Sequence, residues 1–445
     1  LIRIAIPLLA AMIGLILYVR RPMAYLRYTL WVWFLTPEIR RLVDWKLGYT
    51  DPNLILLAPF LVSAVSVLTI LWPRKQQPLR IPGPFMLCGA GVLYGFVVAL
   101  LRHPTVETGY ALLNWGCPLI FGIHLCTMWR RYPAVEKVIT STYVWGVGLM
   151  GAYGIFQYIV APAWDTYWLV NVSQGLIDPS FGQPAPYALR VWSTLNSAGP
   201  FANVMVAGLL LLFVTKSKGK LPISIAGYAS FLLSVVRTCW LSWFLGLMLI
   251  LRGARPKTIL KVVGSIALLA ICLIPIIEKP EIAPVLGDRL ATFRDLGQDE
   301  SFRERSEMYK VIAKMVAEDP FGHGIRNQEI VNNIVVDSGI MVVLLSLGWM
   351  GSALYTFGIL SFLLSKRRSP DIFPKVTKAI CITYLSQLIG GIVFVGVTGA
   401  MFWMFVALTL SAEQWYAAET DATAKAIDRS PQPMQSTSLS APVAA

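Results

Sequence analysis

The chain has 445 residues, of which 56% are hydrophobic and 14% charged, against roughly 25% charged in an ordinary soluble domain. Apolar runs recur along nearly its whole length, which excludes most soluble folds. The 38 Lys and Arg against 24 Asp and Glu give a net charge of +14; such an excess fits nucleic acid, but the cytoplasmic loops of membrane proteins also collect basic residues.

Stretches of roughly 17 to 25 apolar residues place predicted spans at 2–19, 26–44, 53–72, 84–101, 109–129, 138–160, 197–215, 221–236, 238–252, 257–277, 331–364, 376–396 and 398–415. The expected fold class is all-α, a polytopic transmembrane helical bundle of 12–13 spans. Its parts are N-terminal transmembrane helices (1–160), an external loop (161–196), central transmembrane helices with Arg-bearing turns (197–277), a large external amphipathic loop (278–330), C-terminal transmembrane helices (331–415) and a disordered cytoplasmic tail (416–445). Residues 1–19 lack a basic leading region and a small-residue cleavage site, so they read as a span and not as a leader.

Numbered by the span they follow, the odd loops hold 21 Lys or Arg, including Arg20, Arg21, Arg130, Arg131, Lys216, Lys218, Arg367 and Arg368. The short even loops hold six: Arg40, Arg41, Lys46, Arg102, Arg190 and Arg237. The long even loop 278–330 balances eight basic residues with eleven acidic ones. The positive-inside rule makes the odd loops cytoplasmic.

The external loop 161–196 is rich in Pro, Gly, Trp and Tyr and reads as an ordered cap. In loop 278–330, Met308, Ile312 and Met315 recur at helical spacing among charges, predicting an amphipathic helix that ends before Pro320, Gly322 and Gly324. The six Cys all fall in predicted spans without metal-ligand spacing and read as packing residues. Gly89–Gly95 has no strand before it, so its glycines read as helix-contact residues and not as a dinucleotide loop. Neither a phosphate-loop sequence nor HExxH is present, and no cofactor or metal is expected.

Four ionisable residues stand at external span ends: Arg190 in ALRVWSTLNSAGPF, Arg237 in LLSVVRTCWLSW, Arg305 in SFRERSEMY and Asp337 in NNIVVDSGIMVV. A guanidinium near the bilayer usually faces protein, water or an anion. Snorkelling to lipid phosphate is the plain reading of Arg190 and Arg237, and a surface ion pair that of Arg305. Taken together, the arginines fit a diphosphate, because the guanidinium fork matches phosphate oxygens and can stabilise them as they leave. Asp337 reads either as the complementary base or as a carboxylate serving free N–H groups at a helix start. An aspartate at its ordinary value of about 3.9 is a weak base, so orienting the hydroxyl is an equal reading of its role.

In their order, these features resemble the O-antigen ligase and polymerase family of bacterial membrane glycosyltransferases. The elements are Arg190 with Asn196, Pro200 and Asn203; Ser234 with Arg237; Arg305 and Tyr309 followed by Pro320, Gly322 and Gly324; and Asp337 and Ser338 followed by Gly348 and Gly351. The N-terminal half resembles the family only as a series of spans. The resemblance implies the helical bundle of the C-type glycosyltransferases and transfer of a glycan from a polyprenyl-diphosphate carrier to an acceptor hydroxyl. It also implies that transfer takes place at the periplasmic face of the bacterial inner membrane, without nucleotide sugar or metal.

Ligases of the family carry a His-Asn pair where this chain has Asp337 and Ser338, which favours a polymerase of exopolysaccharide or O-antigen repeats. The alternatives are a ligase acting on lipid A core and a transporter of lipid-linked glycan. In this reading Arg190, Arg237 and Arg305 bind the donor diphosphate, Asp337 and Arg237 are catalytic, and His323 and Tyr309 are further candidates. The partners expected are the carrier-linked oligosaccharide donor, the glycan acceptor, the lipid bilayer and polysaccharide-export or chain-length proteins, but no nucleic acid.

Overall fold

The computed structural model describes residues 1–72, 80–102, 104–174, 180–215, 219–252, 254, 256–277, 300–326, 330–331, 334–336, 338–365 and 371–428, with backbone alone for 258, 269–270, 272–273, 275–277, 300–308, 330–331, 334–335 and 423–428. Its elements are helices α1 (Ile2–Arg20), α2 (Pro22–Leu47), α3 (Leu54–Leu71, an α-helix flanked and interrupted by 3₁₀ turns), α4 (Gly83–Arg102), α5 (Val106–Thr127), α6 (Tyr132–Val160), α7 (Ala163–Val172), α8 (Ala198–Leu212), α9 (Lys220–Leu233), α10 (Arg237–Leu251), α11 (Pro256–Ile277) and α12 (Glu300–Glu318). A two-strand hairpin (β1, Ile330–Val331; β2, Ile334–Val335) precedes α13 (Gly339–Leu363), α14 (Phe373–Ser386) and α15 (Gly396–Asp428).

Among the described residues, seven helices are long and apolar enough to cross a membrane: α1, α3, α4, α5, Trp129–Val160, α13 and Gly396–Ala422 within α15. The chain is a polytopic helical membrane protein. Helical form follows from the solvent, because backbone N–H and C=O groups in hydrocarbon must be satisfied within the segment. Leu8, Leu9, Met12 and Ile16 of α1 and Trp145, Leu149 and Phe156 of α6 are exposed, as lipid-facing side chains should be.

The protein-facing sides are packed by aromatic, Leu and Val side chains and by close glycine contacts. In α8, nearly every residue from Phe201 to Leu212 is buried, as is every one from Ala400 to Leu408 in α15. The glycines of the α4 run behave as helix contacts. A Cβ on Gly91 would come 2.7 Å from Gly351 O of α13, and one on Gly95 2.6 Å from Leu347 Cδ2. Five cysteines, Cys88, Cys117, Cys126, Cys239 and Cys381, are buried and free.

Some boundaries differ from the sequence expectation. The apolar run from 331 is not helical at its start: it begins in the hairpin, and α13 opens at Gly339. Ser338, buried, caps that helix by accepting from Met341 N. The last helix continues past 415 to Asp428, so the first part of the expected tail is helical. The cap at 161–196 contains α7 and a Gly182–Leu189 bridge.

Candidate functional site

Arg190, Arg237 and Tyr309 come together at the end of the bundle where α8, α10 and α13 begin. Arg190 follows the Gly182–Leu189 bridge and is held by its backbone N–H to Phe181 O at 2.8 Å. Its side chain is half-buried and donates to Ser234 O at 3.2 Å (Nε) and Val235 O at 3.1 Å (Nη2). Those carbonyls belong to the turn between α9 and α10, where Val235 has φ of +56°. A β-branched residue in the left-handed region is strained, and such strain clusters at functional sites.

Two residues later Arg237 is the first residue of α10, half-buried. The free N–H groups and macrodipole of a helix N-terminus favour an anion. Arg190 packs against the turn that launches Arg237. The Arg190 side chain thus lies against the segment from which Arg237 starts α10.

The neighbouring shell is polar and ordered. Gln387 donates through Nε2 to Thr238 O at 2.8 Å, and the Cys239 thiol lies 3.6 Å from Gln387 Oε1 and 3.7 Å from Asn203 Oδ1. Ser242 and Ser386 hydroxyls are 2.6 Å apart. Beyond Gln387, Ile389 O accepts from Tyr309 Oη at 3.3 Å, which brings the amphipathic helix α12 to the same mouth. Arg305 lies four positions before Tyr309, on the same helix face; its side chain is outside the described residues, and so is Asp337. Gly339, two residues after Asp337, packs so closely on Gly391 that a Cβ would come 2.3 Å from its carbonyl oxygen.

His323 sits apart, in the loop after α12. Its N–H donates to Leu345 O at 2.7 Å, and its Nδ1 is 3.9 Å from Asp319. Pro320, Gly322 and Gly324 form a plug inserted at a break in α13. Trp349 N donates to Pro320 O at 2.9 Å, and Ile325 N to Gly95 O at 3.0 Å. The break is at Gly348, with φ 59° and ψ −172°. Arg102 of α4 clamps the plug through a two-pronged pair with Asp319, one contact at 3.0 Å, and its hydrogen bonds hold the Asp319 carboxyl below the usual carboxylate range. The glycines of both motifs thus serve backbone docking.

A second constellation was not legible in the sequence. Arg41 of α2, fully buried, pairs with Asp165 of α7 at 2.6 Å (Nε to Oδ1) and with Glu38, and donates to Ser193 O at 2.5 Å and to Leu195 O. Gln157 of α6 donates to Asp165 Oδ2 at 2.7 Å and accepts through Oε1 from Trp192 N at 3.2 Å and Ser193 N at 2.8 Å. This buried network grips residues 192–195, immediately after Arg190, from below. Charged residues at the end of a predicted span (Glu38, Arg40, Arg41, Asp44) were the available signal, since Arg40 and Arg41, like Arg190, stand on the side where the charge rule expects few basic residues. Among the described residues no group of three His, Cys, Asp or Glu is placed to hold a metal ion.

A comparison with protein-family models finds no match, and neither does one with curated proteins.

Proposed function

We propose that this protein is an integral-membrane glycosyltransferase that polymerises polyprenyl-diphosphate-linked oligosaccharide repeats, of exopolysaccharide or O-antigen kind, at the periplasmic face of the bacterial inner membrane. The observation that carries the reading is the pairing of Arg190 with the turn that starts α10 at Arg237. Two guanidinium groups and a helix N-terminus make an anion site suited to a diphosphate. This reading counts α2, α8–α11 and α14 as crossings beside the seven long apolar helices, thirteen in all, and assigns the arginine cluster to the outer side by the charge rule.

In the proposed reaction the acceptor oxygen attacks the anomeric carbon of the donor. The bond from that carbon to the diphosphate oxygen breaks, its electron pair leaves with the diphosphate, and the acceptor proton passes to a carboxylate, for which Asp337 is the candidate. Direct displacement inverts the carbon. Arg190 and Arg237 stabilise the charge that develops on the leaving group. Arg305 is the third proposed diphosphate ligand and stands in α12 one helical turn before Tyr309, whose hydroxyl is tied to Ile389.

Purified protein incubated with carrier-linked oligosaccharide should yield elongated product, and Arg190→Ala or Arg237→Ala should lower the rate by about 10²-fold. Full activity in either variant refutes the assignment. Transfer to lipid A core without elongation replaces polymerase by ligase.

A further inference from the structure

The hydrogens around Tyr153 can be counted. Its hydroxyl oxygen lies 2.8 Å from Glu38 Oε1 and 2.9 Å from Asp165 Oδ2, and accepts from Trp164 Nε1 at 2.7 Å. A phenol has one hydrogen to give. It can donate to one of the two carboxyl oxygens, and the other then either opposes a lone pair or carries a hydrogen itself. Asp165 is the more engaged of the two: its Oδ1 is ion-paired with Arg41 Nε at 2.6 Å, and its Oδ2 accepts from Gln157 Nε2 at 2.7 Å. Glu38 Oε2 accepts from Arg41 Nη2, which leaves Oε1 facing Tyr153.

The formal charges nearby balance without an added proton: Arg3 and Arg40 share Asp44, at 3.2 and 2.8 Å, and Arg41 pairs with Glu38 and Asp165, three cations to three carboxylates. The hydrogen count at Tyr153 therefore decides. Without a proton on one carboxyl, either Glu38 Oε1 at 2.8 Å or Asp165 Oδ2 at 2.9 Å faces a lone pair of the phenol oxygen.

We propose that Glu38 is a neutral carboxylic acid in the folded protein. Its O–H donates to Tyr153 Oη, whose own hydrogen goes to Asp165 Oδ2. Through Arg41 and Gln157 this chain positions residues 192–195 and with them Arg190. Glu38, Tyr153 and Asp165 are positioning residues. The link to catalysis rests on the glycosyl-transfer reading, whereas the proton and the grip on 192–195 do not.

Three measurements at neutral pH decide it. The infrared spectrum of the unaltered protein minus that of Glu38→Gln should contain the C=O stretch of a protonated carboxyl group; a carboxylate band in its place overturns the proposal. The side-chain amide introduced by Glu38→Gln keeps an N–H donor towards Tyr153, so amide hydrogen exchange across 190–196 should match the unaltered protein in Glu38→Gln and be about tenfold faster in Tyr153→Phe. Equal exchange in both variants overturns it. With carrier-linked oligosaccharide as donor, Tyr153→Phe should raise KM about tenfold while Glu38→Gln retains the original value. Unchanged KM in Tyr153→Phe, alongside inactive Arg190→Ala, overturns the positioning role. If Arg190→Ala elongates normally, the glycosyl-transfer reading falls, and the infrared and exchange results still decide the proton chain.

Discussion

Gly348→Ala tests how the plug and the broken helix depend on each other. Gly348 holds φ 59° and ψ −172°, a region essentially confined to glycine that costs any other residue about 1–3 kcal/mol. A Cβ there would lie 2.4 Å from Phe321 C and O and 2.7 Å from Pro320 O. These are backbone atoms of the plug and cannot swing aside, so either α13 straightens or the 320–325 segment lifts. In both cases Trp349 N→Pro320 O and His323 N→Leu345 O are lost, at about 1 kcal/mol each.

The sum is about 3–5 kcal/mol, a large part of the ~5–15 kcal/mol that holds a typical protein folded. Thermal unfolding in detergent should show a clear drop in Tm, and hydrogen exchange of residues 320–326 should rise by at least about 10²-fold. Gly89→Ala is the control, because a Cβ on Gly89 meets nothing within 4 Å; it should leave Tm unchanged or slightly higher. Unaltered Tm and exchange in Gly348→Ala refute the interlocking described above.

Asp165→Asn strands the Arg41 guanidinium in a buried site and should cost about 3–5 kcal/mol, read as lost folded yield or a lowered Tm. The Arg102–Asp319 clamp has a pH signature. Because the Asp319 carboxyl is held below its usual range, its contribution is complete above the unfolded value of about 3.9 and is lost only as pH falls through the lower folded value. Exchange at 320–326 should therefore be insensitive to this group between about pH 7 and pH 5 and rise only in stronger acid; a midpoint near neutrality contradicts the assignment. Asp319→Asn should loosen the plug modestly, by under about 1 kcal/mol, since the pair is partly solvated. Gly208→Ala places a Cβ 2.1 Å from Val147 Cγ2 between α8 and α6 and should cost about 1–3 kcal/mol of stability, read as a lowered Tm, with α4 exchange unaffected.

Each arginine of the candidate site was legible because it broke a pattern: a cation at the sparsely basic end of an apolar span is visible in a single line of sequence. Their convergence was not. Arg190 lies against the start of α10 because the α9–α10 turn presents the carbonyls of Ser234 and Val235 to it. The Pro-x-Gly-x-Gly run was read as a helix stop, and it is one. Its larger role as a plug depends on Gly348 more than twenty positions away, and no local spacing signals that.

By itself the sequence determined the helical, many-span character and the amphipathic helix within 278–330. Apolar run length and periodicity act within a single segment and need no partner to be satisfied. Tertiary structure alone decided the Arg41–Glu38–Asp165–Tyr153 cluster, in which Arg41 reaches Leu195 O across 154 positions of chain. It also decided the helix break at Gly348. Burying a charge or breaking a helix is unfavourable locally, and both exist here because distant groups supply the missing hydrogen bonds.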